Sequence, residues 1–182
     1  MSASSEFPTQ IGQVALDVVA SAGAEVGQFR IAGHENRMIN TRDGSVENVA
    51  SDSNTALSVR VVHNGAWGFA AATELTEQAA KDAALRALEM AKISAQVSNE
   101  PVELISEPSH GTVNWTLPIG EDAMAKSDAE VIELLKDWNA RVAKAEIVNH
   151  VDANVSIGRD TTYFADLNEN KITQSRDRIH AA

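Results

Sequence analysis

The sequence has no cysteine, few aromatic residues and no long apolar segment. The lack of cysteine excludes disulfide bonds and favours a reducing compartment, so we expect a cytoplasmic protein. Because aromatic residues make up only 4% of the chain, its core must be aliphatic and rich in alanine. No apolar run approaches the roughly 20 residues of a membrane span, and the N-terminal MSASSEFPTQ has neither the basic nor the apolar region of a secretory signal. We therefore expect no membrane partner.

Positive charge is also scarce. The 182 residues include 15 Lys and Arg against 26 Asp and Glu, which gives a net charge of −11. Nucleic acids and anionic membrane surfaces attract clusters of Lys and Arg. The charge balance therefore predicts that the protein does not bind nucleic acid directly.

Motifs for metal binding and catalysis are missing as well. A helical zinc site needs two histidines at positions i and i+4, and His34-Glu35 is followed at i+4 by Met38. There is no G-x-S-x-G nucleophile motif, no dinucleotide fingerprint and no P-loop. Three acidic residues lie close together in sequence: Asp43, Glu47 and Asp52. Asp43 belongs to a predicted turn and the other two to exposed strand or loop positions, so an acid–base pair among them is possible but unsupported. We predict no catalytic residue and no metal ligand in this chain.

The clearest local order lies in residues 57–73, LSVRVVHNGAWGFAAAT. Alternating apolar residues predict a half-buried strand, and Asn64-Gly65 is a strong hairpin signal. Glycine between two aromatic residues on the return strand allows another chain segment to approach closely. Arg60 has either a structural pairing role, which we favour, or a place in a cleft that binds a peptide carboxylate. The candidate packing or docking surface of this hairpin comprises Arg60, Trp67, Gly68 and Phe69.

Helical periodicity and capping signals predict helices over 9–22, over 76–95 and from the capping box Ser127–Glu130 onward. Alternation predicts strands, with turns at Asp43-Gly44 and Arg159-Asp160 and a polar loop over 51–55. The predicted strands cover 25–32, 37–41, 46–50, 57–63, 66–72, 151–157, 161–167 and 172–174. The fold is predicted to be α+β, with two layers: a mixed or antiparallel sheet and about three helices.

The chain is predicted to have three parts: an α+β domain over 1–96, a proline-rich crossing segment over 97–126, and the start of a second α+β region over 127–182. The segments AEVGQFRIA and AEIVNHVDANVSIG each follow a helix and precede a predicted hairpin. We interpret them as a possible internal repeat of α-β-β-β units.

The run from Arg42 to Lys92 resembles the N-terminal region of the TldD/PmbA family. The similarity consists of R-x-G-x-V-E-x-V at 42–49, V-R-V at 59–61, G-A-W-G-F-A at 65–70, and T-x-L-T at 73–76 before an alanine-rich helix. The G-A-W-G-F-A form is more similar to the TldD branch. Members of this family are named modulators of DNA gyrase and are regarded as zinc metalloproteases.

This resemblance implies a fold and a function. Family members carry H-E-x-x-x-H and a cysteine ligand in their C-terminal half, and this sequence has neither. We therefore expect the non-catalytic N-terminal portion of a cytoplasmic metalloprotease, with zinc bound beyond Ala182, a peptide substrate, and a related subunit as partner in a homo- or heterodimer. The alternative is a short relative that acts as a stand-alone interaction or regulatory module. A third hypothesis, a DNA-associated regulator of gyrase, is disfavoured by the acidic charge.

Overall fold

The computed structural model describes residues 7–98, 100–105, 108–118 and 120–182. These residues form three α-helices, one 3-10 turn at Ala123–Ala125 and a six-stranded sheet. The helices are α1 (Gln10–Ser21), α2 (Glu77–Val97) and α3 (Asp128–Val142). The strands are β1 (Val26–Arg42), β2 (Ser45–His63), β3 (Ala66–Ala72), β4 (Thr112–Thr116), β5 (Asp152–Asp166) and β6 (Lys171–Ala181).

The sheet is mixed and has the strand order β3-β2-β1-β5-β6-β4. Every neighbouring pair is antiparallel except β4 and β6, which run parallel. The predicted α+β architecture of three helices on a mixed sheet is confirmed. The central pair, β1 and β5, joins residues on both sides of the predicted crossing segment, and the division into three parts stays a prediction.

The helices cover one face of the sheet. Strand side chains alternate between the two faces, so alternate residues of each strand contact the helices. On β1, the odd-numbered residues Phe29, Ile31 and Ile39 are fully buried. Phe29 and Ile31 join α1 and α2 in a first core, and Ile39 joins α3 in a second. We call this side of the sheet the helix face and the opposite side the open face.

Three strands run through segments that the sequence predicted to be loops or turns. β1 continues through 33–36, β2 through the predicted polar loop at 51–55, and β5 through the predicted turn at Arg159-Asp160. In each case the polar residues lie opposite residues of a paired strand: Arg159 faces Glu35 on β1 and Asp177 on β6. The continuous ladder satisfies the backbone, so these polar residues remain within the strands.

The last strand is longer than the sequence predicted. The alternation suggested that it ends at Gln174, and β6 instead extends to Ala181. Residues 175–181 pair with residues 155–161 of β5, where Ile179 lies opposite Ile157. The prediction failed because this segment is polar at most positions and so lacks the alternation of apolar residues that indicates a strand, although its partner β5 directly precedes it in the chain.

The element order matches the predicted α-β-β-β repeat only in part. A helix followed by two antiparallel strands occurs twice, as α1-β1-β2 and as α3-β5-β6. The third strand differs: β3 follows β2 and is antiparallel to it, whereas β4 precedes α3 and runs parallel to β6. The common unit in this structure is therefore α-β-β.

Candidate docking surface on the open face

The β2–β3 hairpin forms as predicted, and it positions Arg60 on the open face beside Trp67. Asn64 and Gly65 have φ angles of 53° and 68°, which is the left-handed conformation that a two-residue hairpin turn requires. The Arg60 Nε and Nη2 atoms donate hydrogen bonds of 2.9 and 2.6 Å to Gln28 Oε1. Its guanidinium carbon lies 4.7 Å from the centre of the Trp67 ring, a cation–π contact. Arg60 is thus paired, but exposed rather than buried.

Phe69 extends the same surface along β3, away from the hairpin turn. It lies opposite Arg60 in the β2–β3 register, and 52% of its surface is exposed. With Arg30 and Phe164 it lines a small depression on the open face. Three of the four predicted residues, Arg60, Trp67 and Phe69, are therefore brought together.

Gly68 belongs to the opposite side of the sheet. A Cβ atom at this position would lie 1.9 Å from the carbonyl oxygen of Ala87 and 2.7 Å from the amide nitrogen of Ala91. The glycine thus allows the α2 backbone to lie directly against β3, so Gly68 serves packing and does not contribute to the open face. Whether the remaining surface docks a partner stays a prediction.

The chain after α2 also contributes to this surface, which the sequence did not reveal. The Val102 amide donates a 2.7 Å hydrogen bond to the Gly65 carbonyl oxygen, so the segment lies against the hairpin turn. It borders a depression of about 570 Å³ that includes Arg60 and Trp67. The apolar residues that this segment contributes are Val102, Leu104 and Ile105. The contact could not be predicted from the sequence, because the proline and polar residues around these positions interrupt any helical or strand periodicity.

A second cluster lies toward the other edge of the open face and was not predicted. Asp160 accepts hydrogen bonds from Arg176 and Arg178 at one oxygen, and its other oxygen lies 2.8 Å from His34 Nδ1. Burial alone would raise the pKa of Asp160, but the bonds from His34 and Arg176 and the charge of Arg178 outweigh it and lower the pKa. The sequence pattern R-D-R at 176–178 is a weak signal for this cluster, since alternate residues of a strand share a face and the two arginines would therefore lie side by side.

Two further observations concern metals and membranes. Across the described ranges, no group of three or more His, Asp or Glu side chains lies close enough together to hold a metal ion. The residues in this part of the chain therefore do not fit the zinc that the family resemblance implies. None of the helices that the structure describes has both the length and the apolar character needed to cross a membrane.

These features define a two-layer α+β fold with one open, partly aromatic sheet face. Residues 29–91 match the sequence model of PmbA/TldA metallopeptidase domain 1. The recognition of the TldD/PmbA N-terminal region is thereby confirmed, while the choice of the TldD branch stays a prediction. The matched residues include β2, β3 and most of β1 and α2.

A curated relative and several solved structures agree with this match. A metalloprotease of Methanocaldococcus jannaschii is 31% identical over 83 residues, which is 44% of this chain and 18% of that protein. A protein of Bacteroides thetaiotaomicron named as a modulator of DNA gyrase has a TM-score of 0.71 at 16% identity, over 93% of this chain. TldE of Thermococcus kodakarensis has a TM-score of 0.65 at 13% identity, over 94% of this chain. At these identities the solved structures establish the fold.

The chain is much shorter than these relatives. It covers 38% of the length of both solved structures and 18% of the archaeal metalloprotease. The fold and the family resemblance are therefore established for one part of such a protein, and the activity of the whole is a matter for proposal.

Proposed function

We propose that this chain is the non-catalytic N-terminal portion of a TldD-like cytoplasmic metallopeptidase that acts on peptides. It contributes to assembly with a related TldD/PmbA-type subunit and to the walls of the substrate chamber. The observation that carries this proposal is the match of residues 29–91 to the first domain of a metallopeptidase family. The zinc chemistry belongs to residues outside this chain.

The outer edge of β2 supports a role in assembly. β3 pairs only with Leu57–His63, so among the described residues the edge of β2 over 45–56 has no strand beside it. Residues 45–54 are exposed, including Val46 at 42% and Val49 at 44%. An open edge offers unpaired backbone groups to a strand from another chain.

The aromatic surface supports the same role. Trp67 and Phe69 are exposed on the open face. Gly68 lies between them in β3 and packs against α2 on the helix face. Aromatic residues with nearby arginine are enriched at protein interfaces. The surface also suits the alternative function, a stand-alone interaction or regulatory module with no enzymatic activity.

The proposal is tested by measuring assembly and chemistry separately. The full chain is mixed with a related TldD/PmbA-type subunit, and complex formation is followed by size exclusion with light scattering. We expect a complex that the double variant Trp67→Ala/Phe69→Ala weakens about tenfold or more, as for interface hot spots. Leu85→Ala is the matched control, because Leu85 is 56% exposed on α2, away from the open face.

The same protein is examined for zinc by elemental analysis and for cleavage of an unfolded peptide. We expect no stoichiometric zinc and no cleavage by the chain alone. One zinc per chain together with peptide cleavage would refute the non-catalytic role. Binding of a non-protease partner in place of the related subunit would favour the alternative function.

A further inference from the structure

The cluster around Asp160 concentrates positive charge in an acidic protein. The two guanidinium groups of Arg176 and Arg178 share one carboxylate, so the three side chains carry a net charge of +1 even with His34 neutral. The chain as a whole has a net charge of −11. The cluster is thus a local site of net positive charge on the open face, which also carries Arg30 and Arg60.

The cluster is accessible from solvent. The side chains of Arg176 and Arg178 are 53% and 58% exposed, whereas Asp160, to which both are bound, is 26% exposed. Each guanidinium has five N–H donors, and Arg176 and Arg178 each donate one hydrogen bond to Asp160 through Nη2. Donors therefore remain on both arginines to bind a second anion.

A neighbouring depression provides room for the group that carries such an anion. It has a volume of about 510 Å³ and lies beside Arg176 and Asp160. Trp115 of β4 forms one wall and is 44% exposed. Thr162 and Gln174 line the same depression and add neutral hydrogen-bonding groups.

We propose that Arg176, Arg178 and His34 form a binding site for the carboxylate of an acidic side chain in an extended peptide, with Trp115 packing against the adjacent residue. The proposal rests on the proposed function only for the peptide nature of the ligand. An extended peptide that crosses an open sheet face directs alternate side chains onto it. One acidic residue can then reach the arginines while the rest of the peptide crosses the depression.

The charge distribution favours a single carboxylate over a nucleic acid. Exposed charges act over about one Debye length, roughly 8 Å at physiological salt. A single carboxylate at the cluster therefore responds chiefly to the local arginines. A polyanion extends over much more of the surface and is repelled by the overall charge.

The test compares short peptides that differ in one charge. A peptide with a single glutamate and both ends blocked is titrated into the full chain by calorimetry, and the Trp115 indole signal is followed by NMR. The matching peptide with glutamine in place of glutamate is the first control. Two further ligands are titrated in the same way. One is the glutamine peptide with a free terminal carboxylate, and the other is a short single-stranded oligonucleotide.

Three variants locate the site. Arg176→Gln/Arg178→Gln is expected to weaken binding of the glutamate peptide about tenfold or more, the loss typical of charge-assisted hydrogen bonds. Arg141→Gln removes one positive charge from α3, where Arg141 is 70% exposed, and should leave the affinity unchanged. Asp160→Asn removes the internal competitor for the arginines, and we expect it to tighten binding.

Equal affinity for the glutamate and glutamine peptides would overturn the proposal, as would a double arginine variant that binds like the parent protein. Tighter binding of the oligonucleotide or of the terminal carboxylate would assign the site to that ligand instead. Thermal unfolding checks that each variant is folded. If the double variant does not fold, Arg178→Gln is measured in the same way. Because this assay requires neither a partner subunit nor proteolysis, its result is independent of the assembly experiment.

Discussion

Gly68 shows what a single residue contributes to this fold. Its missing side chain lets the α2 backbone lie against β3, and Ala87 and Ala91 complete the contact from the helix. The sequence indicated a close approach, because glycine stood between two aromatic residues of a strand. It could not indicate that α2 is the partner, since that depends on how the helix folds back onto the sheet.

Replacing Gly68 by alanine should destabilise the protein by about 1–3 kcal/mol, the usual cost of overpacking a tight contact. The added Cβ would meet backbone atoms of Ala87 and Ala91, which cannot rotate away. The free energy of unfolding is measured by urea denaturation followed by circular dichroism.

Gly158→Ala is the matched control for this substitution. Gly158 also lies within a strand, and a Cβ there would be 3.6 Å from its nearest neighbour, the carbonyl oxygen of Glu35. We expect little or no loss of stability at this position. Equal losses for the two variants would show that Gly68 is not needed for the helix contact.

Arg60 illustrates the limit of prediction for the candidate surface. The sequence singled it out as the one charge inside the β2 segment of the hairpin and left open a structural or a ligand-binding role. Its partner Gln28 lies 32 positions earlier, and the two meet only because β1 and β2 pair in this register. The composition of the surface was therefore mostly predictable, whereas its internal contacts were not.

At the level of elements, short-range signals were the most reliable. The capping box of α3 was predicted from Ser127 and Glu130, and both of its hydrogen bonds are present, at 3.3 and 2.7 Å. The hairpin turn at Asn64-Gly65 was equally local. The lengths of β1, β2 and β5 could not be predicted, because polar residues interrupt their apolar alternation. In β1 and β5 these residues pair with each other across more than half of the chain, whereas the polar stretch of β2 pairs with the preceding strand β1.

The capping box predicts a pH dependence of stability. The hydrogen bond from the Ser127 backbone and then that from its hydroxyl lower the pKa of Glu130 below its ordinary 4.5, although desolvation opposes them. A depressed pKa means that Glu130 stabilises the folded state above its unfolded pKa, and that this contribution is lost as the pH falls through the folded pKa. The stability difference between the parent protein and Glu130→Gln should therefore be largest near neutral pH and vanish in acid.

Thermal unfolding across this pH range measures the difference. Glu89→Gln, an exposed position in the middle of α2, is the control and should not reproduce the pH dependence. A difference between parent and Glu130→Gln that stayed constant from neutral to acid pH would contradict the assigned role of the capping carboxylate.

At the level of the whole molecule, two cores share one sheet. The first contains residues of α1 and α2, and the second contains residues of α3 and the 3-10 turn. Polar side chains lie between them on the helix face: Arg37 donates to the Ala123 and Lys126 carbonyl oxygens, and Arg159 binds Asp122 and Asp177. The cores thus share long strands but have no continuous apolar packing between them, and the charged contacts tie the segment around the 3-10 turn to the sheet.

This arrangement predicts that the second core opens without the first. Leu135 on α3 is fully buried, and Leu135→Ala should cost about 2–5 kcal/mol, as is usual for buried leucine. Hydrogen exchange should then show a large loss of protection in α3 and a much smaller loss in α2.

Val59→Ala, at a fully buried position of β2 in the first core, should shift the loss of protection to α2 and the β2–β3 hairpin. If Leu135→Ala lowered protection equally throughout the chain, the two cores would unfold as one cooperative unit. The predicted boundary at 97–126 would then not separate two regions that unfold independently. A selective loss in α3 would instead show that the shared strands hold two regions of different stability, which would leave the β2–β3 hairpin ordered for docking while the second core opens.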